Sequence, residues 1–127
     1  MELSIENVLQ RGVTAHKEGK LEEAERLYRA VLQSQPKHPY ANHNLGLIAV
    51  SVNKADVALP LFKTALDANL GIELFWLSYI SALVKENQLK GAETAIKNAK
   101  KKGFDAKKLQ GLLSQPIGIV DINVPTQ

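Results

Sequence analysis

Apolar residues recur at helical spacing along most of the chain. In "LEEAERLYRAVLQSQPKHPYANHNLG", from Leu21 to Gly46, the first half carries Ala24, Tyr28 and Val31 four and three residues apart. Positions three and four apart share one helix face. Pro36 and Pro39 then interrupt, and a second helical pattern follows. Pro36 closes the helix before it, and Pro39 falls in a first turn, where a missing backbone N–H does no harm. The same reading along the chain predicts seven helices, near residues 5–17, 21–34, 39–52, 55–68, 73–86, 89–102 and 105–114.

The pattern repeats. "GKLEEAERLYRAVL" starts at Gly19, "NKADVALPLFKTAL" at Asn53 and "NQLKGAETAIKNAK" at Asn87, each 34 residues after the last. The same period aligns Ala24, Ala58 and Ala92, then Tyr28, Phe62 and Ile96, then Val31, Ala65 and Ala99. In the helices that precede these, Gly12 aligns with Gly46, and Ile80 takes the third place. Leu45 aligns with Tyr79, and Arg11 is the odd member; Val8 and Asn42 align with Trp76. A fixed period of this length is the mark of stacked supersecondary units, none of which buries its apolar side alone. Glycine inside a helix costs roughly 1 kcal/mol relative to alanine, so Gly12 and Gly46 predict close helix crossings with larger residues filling the space beside them.

The chain resembles the tetratricopeptide repeat family, whose unit is a 34-residue helix–turn–helix with small and bulky residues at set positions. The resemblance is carried by Gly12, Ala15, Ala24, Tyr28, Val31 and Pro36 in the first unit. Leu45, Gly46, Ala49, Ala58, Phe62 and Ala65 carry it in the second, and Trp76, Tyr79, Leu83, Ala92, Ile96 and Ala99 in the third. Arg11, Ile80, Leu70 and Phe104 depart from the usual types. The resemblance implies an all-α fold, a right-handed superhelix of antiparallel helix pairs (an α-solenoid) of about seven helices. It implies a repeat domain over residues 1–114, with units near 5–38, 39–72 and 73–106, a cap helix at 105–114, and an apolar tail or linker at 115–127.

Three local features refine this picture. Pro60 lies early in the fourth helix, where it removes one hydrogen bond and tilts the helix start. "KNAKKKG" ends a helix with lysines that suit its negative end and with Gly103 as a left-handed cap. "DAKKLQGLLSQ" sets Leu109, Leu112 and Leu113 against lysines on the other side, as a cover for the last repeat requires. The tail "PIGIVDINVPTQ" changes character: Ile117, Ile119, Val120, Ile122 and Val124 are β-branched and partly alternate. Its roles stay open among a loose tail, a linker, a strand elsewhere and a segment docked on the helices.

Composition narrows the function. Hydrophobic residues make up 45% of 127 residues, and the formal net charge is +3, as in an ordinary small globular domain. Cysteine is absent, so there is no disulfide framework or thiolate metal site. The N-terminus is not a secretory signal, no apolar run is long enough to span a membrane, and a cytoplasmic location is expected. Five lysines crowd between Lys100 and Lys108, yet no arginine follows Arg29 and no aromatic platform interleaves, which argues against nucleic acid. His16, His38 and His43 have no metal-ligand spacing; His16 and His43 read as groove or surface residues. No serine sits in a nucleophile elbow and no phosphate loop is present. The chain is therefore expected to be no enzyme and to need no cofactor or metal.

What remains is binding. In the resembled family the first helix of each pair lines an inner, concave surface. That implies a partner-binding face of Leu9 and Val13 from the first unit, His43, Asn44, Leu47 and Val50 from the second, and Leu77, Ser78, Ser81 and Val84 from the third. The face is expected to be exposed and apolar, as contact surfaces are; the competing expectation places some of these residues in the core. Some family members grip a terminal carboxylate with basic and asparagine side chains. Asn44 matches that asparagine, but Leu9, Val13, Leu74 and Ser78 at the other matching positions are not basic. The leading function is a scaffold that takes a protein, peptide or helix in the groove. The alternative is an architectural or self-association domain at the N-terminal side of a larger protein, such as a transferase, with a homodimer as one form.

Overall fold

A computed structural model describes residues 4–114. Among them are seven helices and no strands: α1 (Ile5–Lys17), α2 (Leu21–Ser34), α3 (Pro39–Ser51), α4 (Ala55–Ala68), α5 (Glu73–Lys85), α6 (Leu89–Lys101) and α7 (Ala106–Gly111). Each helix packs on the next along the chain, which builds the stacked helical pairs of a solenoid. Six expected helices agree to within one residue at each end, and α7 is shorter than expected at both ends.

The tight turn inside each pair has one chemical cause. Gly19, Asn53 and Asn87 all stand in the left-handed region, with φ of 79°, 63° and 57°. That region favours glycine and, among other residues, asparagine. In each turn the left-handed residue donates its N–H three residues back, and the next N–H reaches five back. Gly19 and Lys20 bond His16 and Ala15 carbonyls, Asn53 and Lys54 bond Val50 and Ala49, and Asn87 and Gln88 bond Val84 and Leu83, at 2.8–3.0 Å. This double closure satisfies helix-end carbonyls that would otherwise lack partners. Gly103, φ 96°, ends α6 in the same way, with Gly103 and Phe104 bonding Lys100 and Ala99.

The connections between pairs use a different device. The Asn42 side chain donates from Nδ2 to the Pro36 carbonyl at 3.0 Å and to the His38 carbonyl at 2.9 Å. One period later, Trp76 Nε1 donates to the Leu70 carbonyl at 2.9 Å. Both donor and acceptor are displaced by 34 residues, so two different side chains make the equivalent tie. The connection needs a carbonyl at that place, not a proline ring, and Leu70 supplies it. His38 begins α3 by accepting the Ala41 N–H at its Nδ1, with Pro39 in the first turn.

Close packing follows the repeat. A β-carbon added at Gly12 would stand 2.8 Å from Tyr28 Cε1, and one at Gly46 would overlap the Phe62 ring. Both rings are buried. In the third pair Ile80 replaces the glycine and Ile96 replaces the ring; both are buried in the same apolar cluster. A larger residue on one helix is matched by a smaller one on the other, so the packed volume is kept. Pro60 lies inside α4, as expected.

The short α7 starts at Asp105, whose Oδ1 accepts from the Lys107 N–H at 2.9 Å. Leu109 and Leu112 enter the cluster that holds Phe75, Trp76 and Ile96, so α7 closes the end of the stack. Lys108 Nζ also reaches Glu73 Oε1, at 3.0 Å, in the first turn of α5. No described helix is long and apolar enough to cross a membrane. The tail singled out in the sequence, 115–127, lies outside the described residues.

Candidate functional site

The ten residues of the expected face come from α1, α3 and α5, the first helices of the pairs. The structure brings them into the interior more than onto a surface. Leu9, Val13, His43, Asn44, Leu47, Leu77, Ser78 and Ser81 are buried, and only Val50 and Val84 are half-buried. The expected exposed apolar patch is therefore corrected: Leu9 and Val13 pack in the cluster of α1, α2 and α3 with Leu45 and Ile48. Leu47 packs with Phe62 and Ala82, and Leu77 with Phe75 and Ile80. The physical reason is that α3 has packing neighbours on several sides. Every residue from Ala41 to Ala49 is buried, which is two and a half turns of helix.

The polar members of this set are organised. His43 is fully buried, its ring 5.4 Å from that of Phe62 and 5.0 Å from that of Phe75. This overturns the groove-or-surface expectation for His43. Its Nε2 lies 2.7 Å from Ser78 Oγ, across two repeats, and its Nδ1 faces Asn44 Oδ1 at 3.4 Å. An amide oxygen only accepts, so in the neutral ring Nδ1 carries the proton and the Ser78 hydroxyl donates to Nε2. Asn44 also lies beside Tyr28 and moderates the rise that burial imposes on the phenol pKa. An amide lowers a phenol pKa by donating to its oxygen, so Asn44 Nδ2 is the atom that faces the Tyr28 hydroxyl, in looser geometry than an ordinary hydrogen bond. The Tyr28 hydroxyl is 3.1 Å from His16 Nδ1, and burial lowers the pKa of His16. A polar thread of His16, Tyr28, Asn44, His43 and Ser78 thus runs through all three pairs.

The order serine, histidine, asparagine is that of a nucleophile, a base and an orienting group. The surroundings do not suit that chemistry. Ser78 and His43 are 1% and 0% exposed, between aromatic rings. The cleft beside Ser78 holds ≈ 10 Å³, about the space of one water. Leu47, Val50, Phe62, Ser78, Ser81 and Lys85 line it. Ser81, 4% exposed, has an Oγ without a partner. A buried hydroxyl without a partner is costly if nothing meets it.

A second concavity was not foreseen. Between α4, α5 and α6 lies a cavity of ≈ 690 Å³, with Leu66, Leu70, Trp76 and Tyr79 at its apolar part and Lys101 and Lys102 among its charged lining. Trp76 and Leu70 were legible as repeat positions, but the period says nothing of the space between neighbouring units. No group of three or more His, Cys, Asp or Glu side chains able to hold a metal occurs among the described residues.

Residues 9–68 match the tetratricopeptide repeat family model. This segment belongs to the tetratricopeptide repeat family. It runs from within α1 to the end of α4, and the third pair, beyond it, carries the same turn and closure bonds. Among solved structures the repeat stack is similar to "MamA MSR-1", with a TM-score of 0.74 and 22% identity over 90% of this chain and 66% of that one. It is similar also to "MamA AMB-1", with a TM-score of 0.76 and 22% identity over 88% of this chain and 61% of that one. The chain thus spans less than two-thirds of the length of these proteins, and the likeness concerns the fold. No curated protein sequence matches it significantly.

Proposed function

We propose that this tetratricopeptide repeat chain is a non-catalytic scaffold for protein interaction that takes an extended apolar segment along the side shared by α1, α3 and α5. The repeat fold supports protein–protein interaction in general terms. One observation supports the finer reading: Ser81 Oγ, in a narrow cleft lined also by Leu47, Val50 and Lys85, is buried with no partner. An extended segment presents a backbone carbonyl or N–H at every residue, about 3.3 Å apart, and so offers what that atom lacks. A helix presents no free carbonyls along its middle. The narrow cleft at Ser81 also suits one small group better than the ridge of a helix.

The test is an array of extended apolar peptides probed with the labelled full chain and with its Lys85→Glu and Ser81→Arg variants. A subset of peptides is expected to bind the wild type and to lose binding to Ser81→Arg. Lys85→Glu, an exposed change at the cleft, is expected to weaken acidic peptides most. Peptide binding indifferent to both changes would remove this face from the reading.

A further inference from the structure

We infer that the cavity between α4, α5 and α6 is a docking site for an acidic peptide segment of a partner protein, anchored by one aromatic or leucine side chain. It shares no lining residue with the cleft at Ser81 and does not rest on the reading of that cleft. Its volume, ≈ 690 Å³, falls within the about 300–1,000 Å³ of ordinary ligand sites. Leu66, Trp76 and Ala95 form a buried floor, while Lys63, Leu70, Thr94 and Lys102 are exposed at the rim. A free small ligand buries most of its own surface in its site. An apolar floor under an open rim instead takes one side chain inside and leaves the chain that carries it outside.

The space exists because α6 departs from the repeat. One period earlier, Val57, Pro60 and Leu61 stand where α6 has Gly91, Thr94 and Ala95. Leu61 packs against the core cluster that holds Leu45, and Tyr79 is the residue one period after Leu45. The smaller side chains of α6 leave the corresponding space beside Tyr79 open. Its aromatic wall is already fixed, because Trp76 Nε1 is bound to the Leu70 carbonyl at 2.9 Å. An anchor that meets a wall already in place loses less entropy in ordering it.

The charge at the rim sets the chemistry of the partner. Lys63, Lys101 and Lys102 line the cavity with one carboxylate, Asp67, and Lys63 Nζ is paired with it at 2.8 Å. Lys101 and Lys102 have no ion pair among the described residues. Nor does α6 need them to close its end, since the Gly103 and Phe104 N–H groups meet the Lys100 and Ala99 carbonyls. One period earlier Asp67 and Ala68 stand at these two places, so the charge reverses in the unit where the space opens. Two ammonium groups beside an apolar floor complement carboxylates that flank an apolar anchor.

The experiment probes the full chain with an array of octapeptides, each carrying one Phe or Leu anchor beside Asp or Glu residues. Counterparts carry Lys in place of the acids or Ser in place of the anchor. Lys101→Glu/Lys102→Glu reverses the rim charge. Gly91→Val/Ala95→Leu restores the side chains of the preceding unit, and a β-carbon at Gly91 would meet Leu83 Cδ2 at 3.5 Å, an ordinary contact. Thr94→Tyr, an exposed change, blocks the same space if the filled variant melts early. Acidic anchored peptides are expected to bind the wild type at least about tenfold more tightly than either counterpart and to lose about tenfold with each double variant. Ser81→Arg should leave this binding unchanged, which separates it from binding at the other face. No binding of acidic anchored peptides, or equal binding of the basic counterparts, overturns the inference. So does a loss on charge reversal that neither filling nor Thr94→Tyr reproduces, since charge alone then holds the peptide. Displacement by phenylacetate as effective as by unlabelled peptide would assign the cavity to a free aromatic acid, and displacement by a single-stranded oligonucleotide would assign the lysines to nucleic acid; either overturns the peptide site.

Discussion

His43 Nε2 and Ser78 Oγ, 2.7 Å apart, tie α3 of the second pair to α5 of the third inside a shell of aromatic rings. A buried hydrogen bond of this kind is costly to break because one partner stays in the interior. Ser78→Ala is expected to lower unfolding stability by about 1–2 kcal/mol, read from urea denaturation. Ser51→Ala, which removes an exposed helix-end hydroxyl, should change it by less than about 0.5 kcal/mol. Equal effects of the two changes would show that the His43–Ser78 bond contributes little.

Gly12 and Gly46 predict a result opposite to helix propensity. Alanine in a helix interior is favoured over glycine by roughly 1 kcal/mol. Here the new methyl would press on the Tyr28 or Phe62 ring, and overpacking typically costs about 1–3 kcal/mol. Gly46→Ala is therefore expected to lower the melting temperature, and pairing it with Phe62→Leu should recover part of the loss. A melting temperature that rises with Gly46→Ala alone would show that the ring moves aside freely.

The turn residues give a graded series. Asn53 and Asn87 hold a positive φ without being glycine. Asn53→Ala should destabilise by about 1 kcal/mol, since left-handed backbone is costly for a residue with a β-carbon and no local polar side chain. Asn53→Gly should be neutral or mildly stabilising. Thermal melts of the three chains check the order glycine, asparagine, alanine.

The pH dependence follows from histidine burial. Burial lowers the pKa of His16 from its ordinary 6.5, and burial also lowers that of His38, with the Glu6 carboxylate partly opposing. Each group binds a proton more readily in the unfolded chain, so its contribution is intact above 6.5 and is lost as pH falls below that value. Stability measured in urea should drop between about pH 7 and about pH 5, and His16→Gln should shallow the slope. At the other end, burial raises the Tyr28 pKa above its ordinary 10.0. The unfolded phenol ionises first, and stability should fall as pH rises past 10.

Most of the fold was legible because local chemistry and period agree. Gly19, Asn53 and Asn87 stood out as the 34-residue starting points of the repeated segments, and the structure shows that they are the left-handed turn residues of the three pairs. The end of α6 at Gly103 was legible for the same local reason. The face was less so. His43 and Asn44 were placed on a groove by their repeat positions, yet they lie buried against Phe62, Phe75 and Tyr28. The ties from Asn42 to Pro36 and from Trp76 to Leu70 were hidden because the side chains differ while the bond stays the same.

By itself the sequence determined the helices, their 34-residue register and the small-against-large pairing within each unit. These depend on backbone preferences and on contacts between residues close in the chain. Only the tertiary structure decided which of those helix faces are covered and which polar groups meet. Periodicity says which residues share a side of a helix; how many neighbours surround that side depends on contacts across repeats. His43 and Ser78, 35 residues apart, are brought within one hydrogen bond by that stacking alone.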